Sequence, residues 1–116
     1  MLRLMLPDLT VRSIYDIDLD MLKKSGIQGM ITDLDNTLVG SKVPLATPEL
    51  GEWLDRVRAA GFQVVVVSNN NENRVRTFAE PLRLPFVSRA RKPLMTAFTK
   101  ALRMMSLAPH ETALVG

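Results

Sequence analysis

Cysteine is absent from the 116 residues, which excludes both a disulfide framework and a thiolate metal site. A reducing compartment is compatible with that absence. The longest aliphatic run is Val64 to Val67, far below the roughly 20 apolar residues needed to cross a bilayer, so an integral membrane protein is not expected. The opening stretch MLRLMLPDL has one Arg and lacks a long apolar core and a small-residue cleavage site. It reads as mature, cytoplasmic sequence. Aromatic residues make up only 5%, so the basic residues lack the interleaved rings of a single-strand platform, and no helix carries a recognition pattern. Nucleic acid is not an expected partner.

What is present is aliphatic. At 47% hydrophobic, the chain is long enough for one domain with a real core over residues 1–116 and too short for two ordinary ones. Charge is uneven: residues 1–60 hold seven Lys and Arg against nine Asp and Glu, and residues 61–116 hold eight against three. A basic second half suits an anionic partner, whether a phosphorylated metabolite, a phospholipid headgroup or a nucleic acid, and is equally the pattern of a solvated face.

Two short β-branched segments, Gly29 to Leu34 and Gln63 to Val67, are apolar enough for burial on both sides, the mark of strands in a parallel sheet. Between them Leu50, Trp53, Leu54 and Val57 fall at helical spacing over Pro48 to Ala60. Thr47 is the expected N-cap, Pro48 takes the first position and Gly61 the stop. The pattern recurs as a helix over Asn71 to Leu82, a strand over Pro85 to Val87, a helix over Pro93 to Ser106 and a strand from Thr112 to Val115. Alternation of this kind predicts an α/β fold, a doubly wound, mostly parallel sheet with helices on both faces. Residues 1–27 are expected to brace the sheet edge, with an extended piece near Thr10 and a short helix over Leu19 to Lys24. The methionines of the last helix, Met95, Met104 and Met105, are expected in the core.

The chemistry centres on Asp33-Leu34-Asp35-Asn36-Thr37, at the carboxyl end of the first buried strand, where open α/β sheets bind ligands. Side chains alternate along a strand, so Asp33 and Asp35 share one side. Two carboxylates in one small volume repel, and a hard divalent cation such as Mg²⁺ removes that cost. A polar loop with an Asx turn would read the same way in isolation. However, Ser68-Asn69-Asn70 follows the next buried strand and opens onto the same edge. Lys92 begins the third helix, where the dipole also attracts anions.

These segments resemble the haloacid dehalogenase superfamily. DLDNT is similar to its motif I (residues 33–37), VVVSNN to motif II (Ser68) and the Lys92 region to motif III. The wider wording, from SIYDIDLDMLKKSGIQGMITDLDNTLV through TPEL, VSNNNENRV, PFVSRARKP and ETALVG, resembles the subfamily IIIA, YqeG-type branch over nearly the whole chain. Relatives of that branch include phosphatidylglycerophosphate phosphatases. The resemblance implies a Rossmann-like core and a phosphatase mechanism. Asp33 would attack phosphorus, Asp35 would act as general acid and then base, Ser68 would hydrogen-bond a phosphoryl oxygen, and Lys92 would offset negative charge. Mg²⁺ would be held by the Asp33 carboxylate and the Asp35 main-chain carbonyl, with Asn36 and Asn69 completing the phosphate cradle.

The family's fourth motif, which supplies further metal-binding Asp residues after a strand ending in Val-Gly, is not found. The chain is expected to be truncated there, before a last strand, leaving an unfinished sheet edge. The insertion from Leu38 to Thr47 is too short for a cap domain, so an open site is expected, one that suits a phospholipid headgroup at a membrane surface. A soluble phosphate ester keeps the same mechanism, and a catalytically silent binding module is the reading from another class. Arg89 and Arg91 read as solvated, His110 as structural or exposed, Trp53 as packing and Thr37 as support for the motif loop. The sequence sets no oligomeric state.

Overall fold

The computed structural model describes residues 2–5, 8–11, 13–35, 37–40, 43–90 and 95–116. Asn36, Arg91, Lys92, Pro93 and Leu94 lie outside the described residues. The strands are β1 (Leu2–Met5), β2 (Asp8–Val11), β3 (Gly29–Thr32), β4 (Gln63–Val67), β5 (Phe86–Val87) and β6 (Thr112–Val115), and the helices are α1 (Leu19–Lys24), α2 (Pro48–Ala59), α3 (Glu72–Ala79) and α4 (Met95–Met105). The sheet runs in the order β2-β1-β6-β3-β4-β5. At its centre β3 is parallel to both β4 and β6, with Thr32 level with Val66 on one side and Val115 on the other. The expected α/β architecture is therefore present.

Alternation along these strands divides the core. Met30, Val64, Val66, Ala113 and Val115 pack on the face that also receives Leu50, Trp53, Leu54 and Val57 of α2 and Val75 and Phe78 of α3. Ile31, Val65, Val67 and Val87 face Ala97, Ala101 and Met105 of α4. Burying each such aliphatic side chain contributes roughly 1.5–3 kcal/mol, the main driving force here. Helices α2 and α3 start on the residues their sequence supplies: the Thr47 hydroxyl accepts from the Leu50 amide (3.2 Å) ahead of Pro48, and the Asn71 amide oxygen accepts from the Arg74 amide (2.8 Å). Past α2, Gly61 turns the chain at φ +97°, a conformation glycine adopts without strain. Trp53 is packing, as expected, edge-to-face on Tyr15 at 6.3 Å.

Three expectations need correction. The outer edge of β6 is not left open, because β1 pairs with it antiparallel and β2 pairs with β1, so an N-terminal hairpin extends the sheet. Of the α4 methionines only Met105 is core; Met95 and Met104 are exposed, since their positions fall off the Ala97–Ala101–Met105 stripe. The helix expected over Asn71 to Leu82, α3, ends at Ala79, and Glu80–Leu82 tightens into a 3-10 turn at Pro81. At Gly29 side chains from the end of α4 and just past it pack closely on β3: a methyl there would lie 2.6 Å from Leu107 Cδ1 and 2.8 Å from Met105 Sδ. Among the described residues no helix is long and apolar enough to cross a membrane.

Candidate active site

The parallel strands β3, β4 and β6 end at one edge, and the residues just beyond them form the site. Asp33 follows β3 directly, its amide donating to the Val115 carbonyl (3.1 Å). The next residue, Leu34, is fully buried on the other side. Its carbonyl then accepts from the amides of Thr37, Leu38 and Val39, which curls the motif into a tight loop and brings Asp35 alongside Val39. Thr37 supports that loop, as its place in the sequence suggests. Gly116 closes in from β6, where a Cβ would sit 3.6 Å from Asp33 Oδ2.

Asp33 keeps an open face to solvent. Partial burial against the strand ends pushes its carboxyl above the usual carboxylate range, and the charge of nearby Asp35 adds to the rise. Asp35 itself is held on both oxygens. The Arg74 Nη2 donates to Oδ1 at 2.8 Å and the Asn70 amide donates to Oδ2 at 3.3 Å. Arg74 also donates through Nη1 to the carbonyl of Val43, in the loop that leads to α2.

Ser68 lies just past β4 and is buried, with Oγ accepting from the Asn70 amide (3.1 Å). Its main chain is clamped to β5 and the following turn: the Ser68 amide donates to the Val87 carbonyl, and the Ala90 amide donates to the Ser68 carbonyl, both at 2.9 Å. The turn passes through Arg89, exposed and at φ 53°, whose amide donates to the Asn70 carbonyl (2.8 Å). The chain is thereby led to Ala90, two residues ahead of Lys92. Lys92 and Asn36 fall outside the described residues.

Asp33, Asp35 and Ser68 thus share one edge. Asn69 is exposed and is not among the residues that contact Asp35; its neighbour Asn70 fills that place. Arg74 was not singled out from the sequence, where it is one more arginine on a polar helix face. The available signal was its spacing, three residues past the Asn71 cap and so on the first turn of a helix that starts at the site. His110 is exposed in the turn preceding β6, and Thr112 is level with Gly29, so it stands at the far end of the strands from Asp33. Among the described residues no group of three or more His, Cys, Asp or Glu is placed to hold a metal ion.

Comparison with known proteins adds sequence and fold relatives. A family model described as mitochondrial PGP phosphatase matches residues 2–80. The protein described as probable phosphatase YqeG, from Bacillus subtilis (strain 168), is 47% identical over 111 residues, covering 96% of this chain and 64% of the relative. Among solved structures, the cobalt-bound deoxy-D-mannose-octulosonate 8-phosphate phosphatase of Haemophilus influenzae superposes with a TM-score of 0.65 at 20% identity, over 78% of this chain and 58% of that one. The 3-deoxy-D-manno-octulosonate 8-phosphate phosphatase of Moraxella catarrhalis, solved with magnesium, phosphate and KDO, gives 0.62 at 13% identity, over 80% and 59%. These structures share the fold of this chain, which spans less than two thirds of the length of each of these relatives.

Proposed function

Given that the chain belongs to the phosphatase family described as mitochondrial PGP phosphatase, we propose that it is a Mg²⁺-dependent phosphomonoesterase working through an aspartyl-phosphate on Asp33. The substrate is a phospholipid headgroup of the phosphatidylglycerophosphate type. The observation that carries the reading is the pairing at one strand edge of an open carboxyl group, Asp33, with a second, Asp35, held by hydrogen bonds on both oxygens.

One Asp33 oxygen attacks phosphorus in line with the leaving oxygen. The bond from phosphorus to that oxygen breaks, and Asp35, protonated, gives the departing alcohol its proton. Asp35, now ionised, takes a proton from a water whose oxygen attacks the same phosphorus. The bond to Asp33 breaks, inorganic phosphate leaves, and both carboxyl groups return to their starting states. Ser68 stands at the same edge, where its hydroxyl can donate to a phosphoryl oxygen, and Lys92 supplies a cation in the transition state. Asn36 and Asn69 are proposed to bind the phosphate.

The donor set fits magnesium: it is all oxygen, and the burial and the neighbouring Asp35 charge that together raise Asp33 are what a hard dication offsets. The Asp33 carboxylate and the Asp35 main-chain carbonyl would hold it, since the Asp35 side chain is already engaged by Arg74 and Asn70. Bound there, it would polarise the phosphate as a Lewis acid. The magnesium and cobalt in the two fold relatives support the same choice.

A lipid headgroup is favoured over an enclosed metabolite because only Gly40 to Thr47 separates the motif loop from α2, too little for a lid. The family description points the same way. The site would work at a membrane surface, with the domain over residues 1–116 remaining in the cytoplasm. The test is hydrolysis of phosphatidylglycerophosphate in mixed micelles, beside free glycerol phosphate and a sugar phosphate, with and without EDTA. A preference for the lipid, loss of turnover with EDTA and loss of at least about 10³-fold in Asp33→Asn are expected. Equal rates on soluble esters would replace the lipid by a small phosphate ester. Full activity in Asp33→Asn, or no activity on any ester in the folded full-length protein, would leave a binding module.

A further inference from the structure

We infer that Arg74 is a positioning residue for proton transfer, holding the Asp35 carboxylate and the rim of the site as one unit. The inference rests on the phosphatase reading above and goes beyond it, because that reading gives Arg74 no role.

Two ion pairs on the same helix set the contrast. Arg76 and Glu72 meet at 2.9 Å across one turn of α3, but their side chains are 53% and 56% exposed. Such a pair is screened and contributes little. Arg74 and Asp35 meet at 2.8 Å with side chains only 13% and 23% exposed, and they are 39 residues apart. Away from bulk water the attraction is stronger and the orientation better kept. Asn70 occupies the second oxygen of the same carboxylate, so its rotation is restricted from both sides.

The planar guanidinium explains the residue type. One end of the fork reaches Asp35 and the other reaches the Val43 carbonyl, so a single side chain ties the acid/base residue to the loop preceding α2. A lysine ammonium has one nitrogen and cannot span both in that plane. Nor can Arg74 transfer the proton itself, since guanidinium stays protonated throughout the working pH range. It acts through Asp35: a proton donor must meet the leaving oxygen at hydrogen-bond distance, and each rotamer denied to a free carboxylate is one fewer unproductive geometry.

This role predicts a dependence on leaving group that a generally structural arginine would not show. An alkoxide leaves poorly and needs the proton, whereas a nitrophenolate leaves without it. In the full-length protein with Mg²⁺, kcat/KM is measured on glycerol phosphate and p-nitrophenyl phosphate for Arg74→Ala, Arg74→Lys, Asp35→Asn and the Arg74→Ala/Asp35→Asn double variant. Arg74→Ala is expected to lose about 100-fold on the alkyl ester, the lower end of what general acid catalysis supplies, and less than about 5-fold on the aryl ester. Arg74→Lys falls between. The double variant is no slower than Asp35→Asn alone, because the two residues act as one unit. Melting curves check that each variant is folded; if the alanine change unfolds the protein, Arg74→Gln takes its place in the same comparison. Equal losses on both esters, or losses that multiply in the double variant, would overturn the proposal. The Asp33→Asn control keeps the two readings apart: if it retains activity, the nucleophile assignment fails whatever Arg74 does.

Discussion

Removing the Asn71 side chain should damage the site without unfolding the protein. Asn71 caps α3 through the 2.8 Å bond from the Arg74 amide, and its own amide and side-chain nitrogen donate to Asn70 Oδ1. Loss of such a cap costs about 1 kcal/mol. For 116 residues the unfolding entropy near 60 °C is about 0.24 kcal/mol/K, so Asn71→Ala should melt about 4 °C lower. Against a total stability of about 5–15 kcal/mol, that leaves nearly every molecule folded at assay temperature. Any loss of turnover must then come from the first turn of α3, which carries Arg74, and from Asn70, which holds Asp35. The assay is a thermal melt beside kcat/KM on an alkyl phosphate, with Asn71→Ser as the variant that keeps a capping oxygen. Asn71→Ser should recover most of both quantities. If it melts as low as Asn71→Ala, or if Asn71→Ala melts unchanged, the capping bond carries no energy and the reasoning is refuted.

Two further outcomes follow from the geometry. Gly29→Ala places a methyl against Leu107 and Met105; both are side chains that can give way, so the expected cost is about 1–2 kcal/mol, read as a lower melting temperature with kcat retained below it. Asp33→Asn should stabilise the metal-free protein at neutral pH. The Asp33 carboxyl is raised in the folded state, so the folded state binds the proton more tightly, and stability present below the unfolded carboxylate range is lost as pH rises through the folded value. Melts in EDTA should therefore show the wild type losing ground to Asp33→Asn as pH rises from acid to neutral, and added Mg²⁺ should stabilise only the wild type. A wild type that gains stability on Asn over that range would contradict the raised carboxyl.

The parts of this protein that the sequence displays are those whose chemistry and periodicity coincide. The β-branched run Val64 to Val67 reads as a strand buried on both sides, and Thr47-Pro48 followed by Leu50, Trp53, Leu54 and Val57 is a complete helix start. Asp33 and Asp35 stand out because Ser68 follows the next buried strand onto the same edge; alone, the pair reads equally as a polar turn. What stayed hidden depends on contacts distant in the chain. Strands β1 and β2 are defined only by pairing, β1 with β6 and β2 with β1. Arg74 and Arg76 look alike on paper; one meets a carboxylate from another loop and the other a glutamate one turn away. Asn69 and Asn70 are equally indistinguishable until the turn at Ser68 aims one of them at Asp35.

The step from Asp33 to Leu34, open carboxylate beside fully buried leucine, gives the central strand a built-in proofreader. A slip of β3 by a single residue would exchange those two positions, sending a charge into the layer beneath α2 and α3 and an isobutyl group into the proposed phosphate site. The misaligned chain would forfeit cohesion and turnover together. Selection on catalysis alone therefore also selects the alignment of the sheet.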